Sequence, residues 1–193
     1  MNFVKTLLVF VAGAALLSGC KSSSEPCAPS ALETIMTRTS VRSFTGEPVG
    51  KDQLEIILKA GMAAPTAINL QPWRFVVMTD KDRIATLFGE GRMAQVFTNA
   101  GAVIIVCGET DKKFWYEDCS AAAENILLAV HSLGLGAVWT AGYPAEERIA
   151  PVAEALGIPE GIKPLCIIPV GVPTEIPAPK DKWKPENIHW ETW

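Results

Sequence analysis

Apolar positions recur along this chain in distinct patterns, and each predicts a different kind of element. The run Ala102-Val103-Ile104-Ile105-Val106-Cys107 has no polar alternation, which predicts a strand covered on both faces. Arg74 to Met78, Gly136 to Thr140 and Leu165 to Val170 predict three more strands. Ser30-Ala31-Leu32-Glu33 reads as a capping box, followed by an apolar stripe of Leu32, Ile35 and Met36 on a helix that should end near Thr39. A second helix is predicted from about Asp52 to Ala60, with Leu54, Ile57 and Leu58 on one face and Gly61 near its end. Short helices follow at Ile84 to Phe88 and Met93 to Phe97. Pro144 to Leu156 predicts a helix that Pro151 should break.

The helix predicted from Asp118 to Leu133, stopped by Gly134, has a different pattern. Ala121-Ala122-Ala123 and Ile126 to Val130 make its middle apolar almost all the way round, so it should be buried on every side. In a domain this small, a partner subunit is the expected source of that cover. The tail raises the same question. Prolines at 173, 177, 179 and 185 oppose regular structure, yet Trp183, Trp190 and Trp193 are too apolar for a free tail. An extended arm laid across a neighbouring subunit is expected. There are no internal repeats.

The first residues have their own pattern. Lys5 precedes an apolar stretch from Leu7 to Leu17, too short for a permanent membrane span, and Leu17-Ser18-Gly19-Cys20 follows. This predicts a lipoprotein signal peptide over residues 1–19, cleaved to leave Cys20 lipidated. An ordinary signal peptide with an accidental cysteine is the alternative. Residues 20–29, rich in Ser and Pro, read as a flexible tether, and residues 30–193 as a single domain. The product would be exported and held to a membrane of the cell envelope by its lipid.

Composition narrows the function. Hydrophobic residues make up 49% of the chain, enough for a proper core, and the net charge of −4 gives no basic surface for nucleic acid. Cys27, Cys107, Cys119 and Cys166 show no CxxC spacing, so neither a metal site nor a disulfide framework is predicted. Cys107 and Cys166 sit in strand-like runs as buried thiols.

Two clusters carry candidate chemistry. Arg38 and Arg42 lie four apart with Thr39 and Ser40 between them, and guanidinium forks and hydroxyls suit phosphate oxygens. Two arginines at a helix end also make ordinary surface salt bridges, so spacing alone leaves both readings open. Pro65-Thr66-Ala67-Ile68-Asn69 should end a helix in a turn without regular hydrogen bonding, freeing the Asn69 amide for a ring edge that both donates and accepts. A plain loop capped by Pro72 and Trp73 is the alternative there.

Taken together in order, these segments resemble the nitroreductase family of FMN-dependent oxidoreductases. The resemblance rests on Arg38, Ser40, Arg42 and Phe44, then on Pro65 to Trp73 with Asn69 and Gln71. It continues through Asp118, Asn125, Leu127-Leu128 and Gly134-Leu135-Gly136, then Trp139-Thr140-Ala141-Gly142 and Pro179-Lys180-Asp181-Lys182. It implies an α+β nitroreductase-like fold, with a central mixed sheet flanked by helices. It also implies an intertwined homodimer with an extended C-terminal arm and FMN at the subunit interface. By carry-over, Arg38, Thr39, Ser40 and Arg42 would hold the phosphate and ribityl end of FMN, joined by Lys180 or Lys182. Pro65, Thr66, Ala67, Asn69 and Gln71 would cover the ring from the other subunit. Thr140, Ala141 and Gly142 would lie near the flavin N5, a backbone N–H donating to it. Three departures are visible: Ala141 stands where some relatives have Glu, Lys182 stands where Arg is common, and a basic loop of some relatives has no match.

The implied activity is ping-pong transfer of hydride from NADH or NADPH through the flavin to nitroaromatic or quinone-like acceptors. The redox chemistry belongs to the cofactor, so no catalytic side chain is named. Gly89-Glu90-Gly91-Arg92-Met93-Ala94 matches a dinucleotide fingerprint but follows a helix-like stretch, which rules against that use. His131 and His189 have no ligand-spaced partner, and no nucleophile elbow is present. Two rivals stand beside this reading: a non-catalytic flavin-binding surface lipoprotein, to which export lends weight, and a purely structural dimer without cofactor. Export also raises a different donor, because nicotinamides are cytoplasmic: another membrane redox partner.

Overall fold

The computed structural model describes residues 29–193. The signal peptide, the lipidation site at Cys20, Cys27 and nearly all of the tether lie outside the described residues. The elements run α1 (Ala31–Thr37), α2 (Lys51–Met62), β1 (Trp73–Met78), α3 (Lys81–Phe88), α4 (Ala94–Thr98), β2 (Ala102–Glu109), α5 (Trp115–Ser132), β3 (Gly136–Ala137), β4 (Thr140–Ala141), α6 (Glu146–Ala155) and β5 (Ile162–Gly171).

One sheet forms the centre, in the order β1-β2-β5-β3, with β4 also paired to β5. Its ladders are all antiparallel, which corrects the expected mixed sheet. An unalternated apolar run specifies cover on two faces but says nothing about the direction of the neighbouring strand. The cover itself is as predicted, since Ala102 to Val106 are wholly buried. Ile104 and Val106 pack with Leu54 and Ile57 of α2 and with Ala122, Ala123 and Ile126 of α5. Val103, Ile105 and Cys107 face the other layer, made of Ile84 and Phe88 of α3, Phe97 of α4 and Val152 of α6.

Several local expectations are revised. The expected strand from Gly136 to Thr140 is two short strands, β3 and β4, each paired to β5. Gly61 lies inside α2, whose C-cap is Ala63. Pro151 sits within a continuous α6, where it removes one backbone donor while the buried Ile149 and Val152 hold that face to the sheet.

Cover of α5 comes mostly from its own chain. Trp115, Asp118, Cys119, Ala122, Ala123, Ile126, Leu127 and Val130 are buried without any partner. What stays open is a groove of about 460 Å³ lined in part by Ile35, Ile56, Leu128 and Ala129. The α1 stripe is open too: Leu32, Ile35 and Met36 are exposed, whereas Thr34 faces inward. Trp183, Trp190 and Trp193 are likewise exposed in the single chain, and the tail's only assigned element is a 3-10 turn at Pro185–Asn187.

The start of the tail is pinned to the segment after α1. Thr45 N–H donates to the Val172 carbonyl (3.0 Å), Thr174 N–H donates to the Ser43 carbonyl (3.1 Å), and the Thr174 hydroxyl donates to Ser43 Oγ (2.7 Å). This stitching carries Lys180 and Lys182 to the same place as Arg38 and Arg42.

Candidate functional site

Helix α1 stops because Arg38 leaves helical geometry, with φ −57° and ψ 130°. The next residues run extended. Val41 N–H donates to the Ala137 carbonyl at 2.9 Å, and the Val41 side chain is buried against Gly136. Alternation then turns Ser40 and Arg42 to the opposite side. There they line a cavity of about 380 Å³ with Arg38, Thr39, Pro177, Ala178, Lys180 and Lys182.

Four cations therefore meet at one cavity. Arg38 has a carboxylate partner, with Nε 3.2 Å from Glu124, so part of the salt-bridge reading holds for that residue. Arg42, Lys180 and Lys182 make no ion pair among the described residues. Thr39 Oγ1 is buried and has no hydrogen-bond partner among the described residues. A buried hydroxyl without a partner is costly, and beside unpaired cations it suits an anion with several acceptor oxygens. The donor set fits a phosphate group such as that of FMN.

His131 meets the end of α1, its Nε2 2.9 Å from Thr37 Oγ1. Burial, and then the positive charge of Arg38, lower its pKa below the ordinary imidazole value.

The segment after α2 forms the second group. The expectation of a turn without regular hydrogen bonds is corrected: Ala67–Asn69 is a 3-10 turn, with Leu70 N–H donating to the Ala67 carbonyl at 3.1 Å. Ile68, Asn69 and Gln71 take left-handed φ values of 45°, 60° and 50°. Such backbone persists only where the surroundings over-determine it. Here Ala67 N–H donates to Asp118 Oδ1 (3.0 Å), Gln71 N–H donates to Thr66 Oγ1 (3.3 Å), and the Arg74 guanidinium donates to the Gln71 and Trp73 carbonyls (3.3 and 2.6 Å). The Asn69 amide is not wholly free, because its Oδ1 accepts from Gln71 Nε2 at 2.9 Å. Pro65, Asn69 and Gln71 are exposed, Thr66 and Ala67 half-buried.

Thr140, Ala141 and Gly142 form the third group, at the end of β4. The Thr140 hydroxyl donates to the Ile167 carbonyl (2.6 Å), and Tyr143 N–H donates to the Leu165 carbonyl (2.9 Å). A register shift between β2 and β5 near Val106 and Cys107 leaves Leu165 as the extra residue that takes this bond. Gly142 lies so close to β5 that an added Cβ would meet the Leu165 carbonyl oxygen at 2.1 Å.

Within one chain the structure unites the first group with the tail lysines, and neither Pro65 to Gln71 nor Thr140 to Gly142 lines that cavity. Pro177 and Ala178 were not anticipated as lining residues, since nothing in a proline-rich tail marks which residues face inward. The structural roles of Asp118, Arg74 and Glu124 were not anticipated either. Only a buried acidic residue opening an apolar helix hinted at the first. The thiols are inert by environment: burial pushes Cys107 and Cys119 up to about 12 and raises Cys166 well above its ordinary value.

Comparison with known proteins agrees with this geometry. The model of the nitroreductase family matches residues 35–91 and 89–172. A protein of Methanothermobacter thermautotrophicus, named provisionally as an NADH dehydrogenase/NAD(P)H nitroreductase, is 39% identical over 84% of this chain and 87% of its own. A crystal structure from Bacteroides thetaiotaomicron under the same provisional name is 43% identical, with a TM-score of 0.81 over 84% of this chain and 98% of that one. A provisionally named nitroreductase from Desulfovibrio desulfuricans, solved in complex with FMN, is 29% identical, with a TM-score of 0.75 over 86% of this chain and 98% of its own.

Proposed function

The chain belongs to the nitroreductase family, and from that premise we propose that it is an FMN-dependent oxidoreductase. It takes electrons from NADH or NADPH and delivers them to electron-poor acceptors of the nitroaromatic or quinone type. The observation that carries this reading is the cavity lined by Arg38, Arg42, Lys180 and Lys182, of which Arg42 and the two lysines make no ion pair among the described residues. When bound, FMN would supply the two-electron redox chemistry.

The chain's own residues bind and orient. Arg38, Arg42, Thr39, Ser40, Lys180 and Lys182 would hold the phosphate and ribityl end. The Thr140–Gly142 segment would present backbone N–H to the ring, with the Thr140 hydroxyl already engaged by Ile167. The Pro65–Gln71 turn would come from a second copy of the chain. Its separation from the phosphate cavity, the exposed α1 stripe, the open groove on α5 and the exposed tryptophans all support a homodimer.

The Leu17-Ser18-Gly19-Cys20 sequence supports export and lipid anchoring through Cys20. Such a location keeps a second reading alive, a surface lipoprotein that binds flavin without turning over nicotinamide. One measurement separates them: the visible spectrum of purified protein, anaerobically, before and after adding NADH or NADPH. Bleaching of a bound flavin is expected of the reductase. Persistent yellow flavin with both donors favours the binding protein, and a colourless protein that takes up no FMN sinks both.

A further inference from the structure

On the flavin reading above, we propose that Asp118 is a positioning residue for the ring, acting through the Ala67 amide to set the shape of the turn that covers it. Asp118 and Asn125 sit two turns apart on α5 and so share one face. Both reach across to the same neighbouring segment. Asn125 Nδ2 donates to the Ala60 carbonyl at 3.0 Å near the end of α2, and Asp118 Oδ1 accepts from Ala67 N–H at 3.0 Å at the start of the turn. Between these two anchors Ile126 presses on Gly61, where a Cβ would lie 2.9 Å from its Cγ1. Helix α5 thus holds α2 and the turn along a single edge.

Beyond the second anchor the backbone becomes unfavourable. Ile68 and Asn69, the next two residues, both take left-handed φ, and Gln71 follows. For non-glycine residues, and above all for a β-branched Ile, this geometry needs an external hold. Thr66 and Gln71 brace the turn from within, and Arg74 holds its far end. Asp118 is the only hold at its near end among the described residues. Asp118 is 6% exposed and its Oδ2 has no hydrogen-bond partner among the described residues, so the Ala67 N–H is the one polar group its carboxyl meets there. Releasing Ala67 would let Ile68 and Asn69 relax toward ordinary φ, moving the very groups that face the ring.

The test uses the full mature protein, free FMN as probe, and three variants: Asp118→Ala, Asp118→Asn and Ala67→Pro. Asparagine keeps an oxygen that accepts from Ala67, while proline removes the donor at the first position of the turn, where its backbone is tolerated. FMN affinity, the visible spectrum of bound flavin and the Tm of the flavin-free protein are read for each. The expected result is about tenfold weaker FMN binding and a changed bound-flavin spectrum for Asp118→Ala and Ala67→Pro, with Asp118→Asn close to wild type. Wild-type affinity and spectrum in Asp118→Ala or Ala67→Pro overturn the proposal. So does an Asn variant as impaired as the Ala variant, and so does a loss of Tm in Asp118→Ala with no spectral change. A wild-type protein that takes up no FMN refutes the functional reading instead, which keeps the two failures distinct.

Discussion

Ile126 on α5 and Gly61 on α2 meet with no room for a side chain at residue 61, since a Cβ there would stand 2.9 Å from Ile126 Cγ1 and 3.1 Å from its Cδ1. Alanine is the better helix former by about 1 kcal/mol. Overpacking a tight contact costs about 1–3 kcal/mol. The steric effect should win, because both Ile126 and the α2 backbone are held in the core. Gly61→Ala is expected to lower stability by about 1 kcal/mol, a Tm drop of about 2–4 °C for a chain of this size. Calorimetry checks this. Combining it with Ile126→Ala should destabilise less than the sum of the two single changes.

Thr39→Val replaces the unpartnered buried hydroxyl by a methyl of similar shape. Removing an orphaned polar atom should leave the flavin-free protein as stable as before or slightly more so. If that hydroxyl awaits a phosphate, FMN binding should weaken by about ten- to a hundredfold, because a hydrogen bond to a charged group contributes about 1.5–3 kcal/mol. Thermal melts and FMN titration on the same samples separate the two effects. Unchanged affinity would remove Thr39 from the site.

His131 should make stability depend on mild acid. The Thr37 hydroxyl donates to the Glu33 carbonyl at 2.7 Å, so its 2.9 Å contact with His131 Nε2 is made by a donating ring N–H. Burial and then Arg38 lower the folded pKa below 6.5, so the unfolded chain takes up the proton more readily. The contribution is therefore complete above about pH 6.5 and is lost as pH falls from there through the folded pKa. Denaturant melts of the wild type should weaken more steeply between about pH 7 and pH 5 than those of His131→Gln. Parallel slopes would refute this.

Gly142→Ala should be severe. Its Cβ would lie 2.1 Å from the Leu165 carbonyl oxygen and 2.7 Å from its carbon, both backbone atoms that β5 holds in place. Relief means moving the Thr140–Gly142 segment off the sheet and breaking the Tyr143 N–H bond to Leu165. A stability loss of about 3 kcal/mol is expected, together with weaker FMN binding. Gly50→Ala, whose nearest contact would be the Gln53 side chain at 3.6 Å, serves as the control and should stay close to wild type.

Which parts of this were legible beforehand follows from the range of the interactions involved. The buried strand at Ala102, the long helix through Ala122 and the helix cap at Ser30 depend on local periodicity and neighbouring hydrogen bonds, and all three are present. The Arg38–Arg42 cluster with the tail lysines was legible as residue types, and they do converge on one cavity. The α1 stripe was legible as apolar, but not its direction: Leu32, Ile35 and Met36 face out from the single chain. The hold of Asp118 on Ala67 spans far-separated positions, and no local pattern encodes it.

By itself the sequence determined the main helices and strands, the dry run at Ala102 to Val106 and which side chains could grip an anion, but not the split of Gly136 to Thr140, the 3-10 turn at Ala67–Asn69 or the unbroken α6. Each feature it determined depends on residues a few positions apart. Only the tertiary structure decided strand direction, the contact that leaves Gly61 and Gly142 no space for a Cβ, and the pairing of Asp118 with the turn. Those depend on atoms brought together by long-range packing, where a shift of an ångström changes which partner is met.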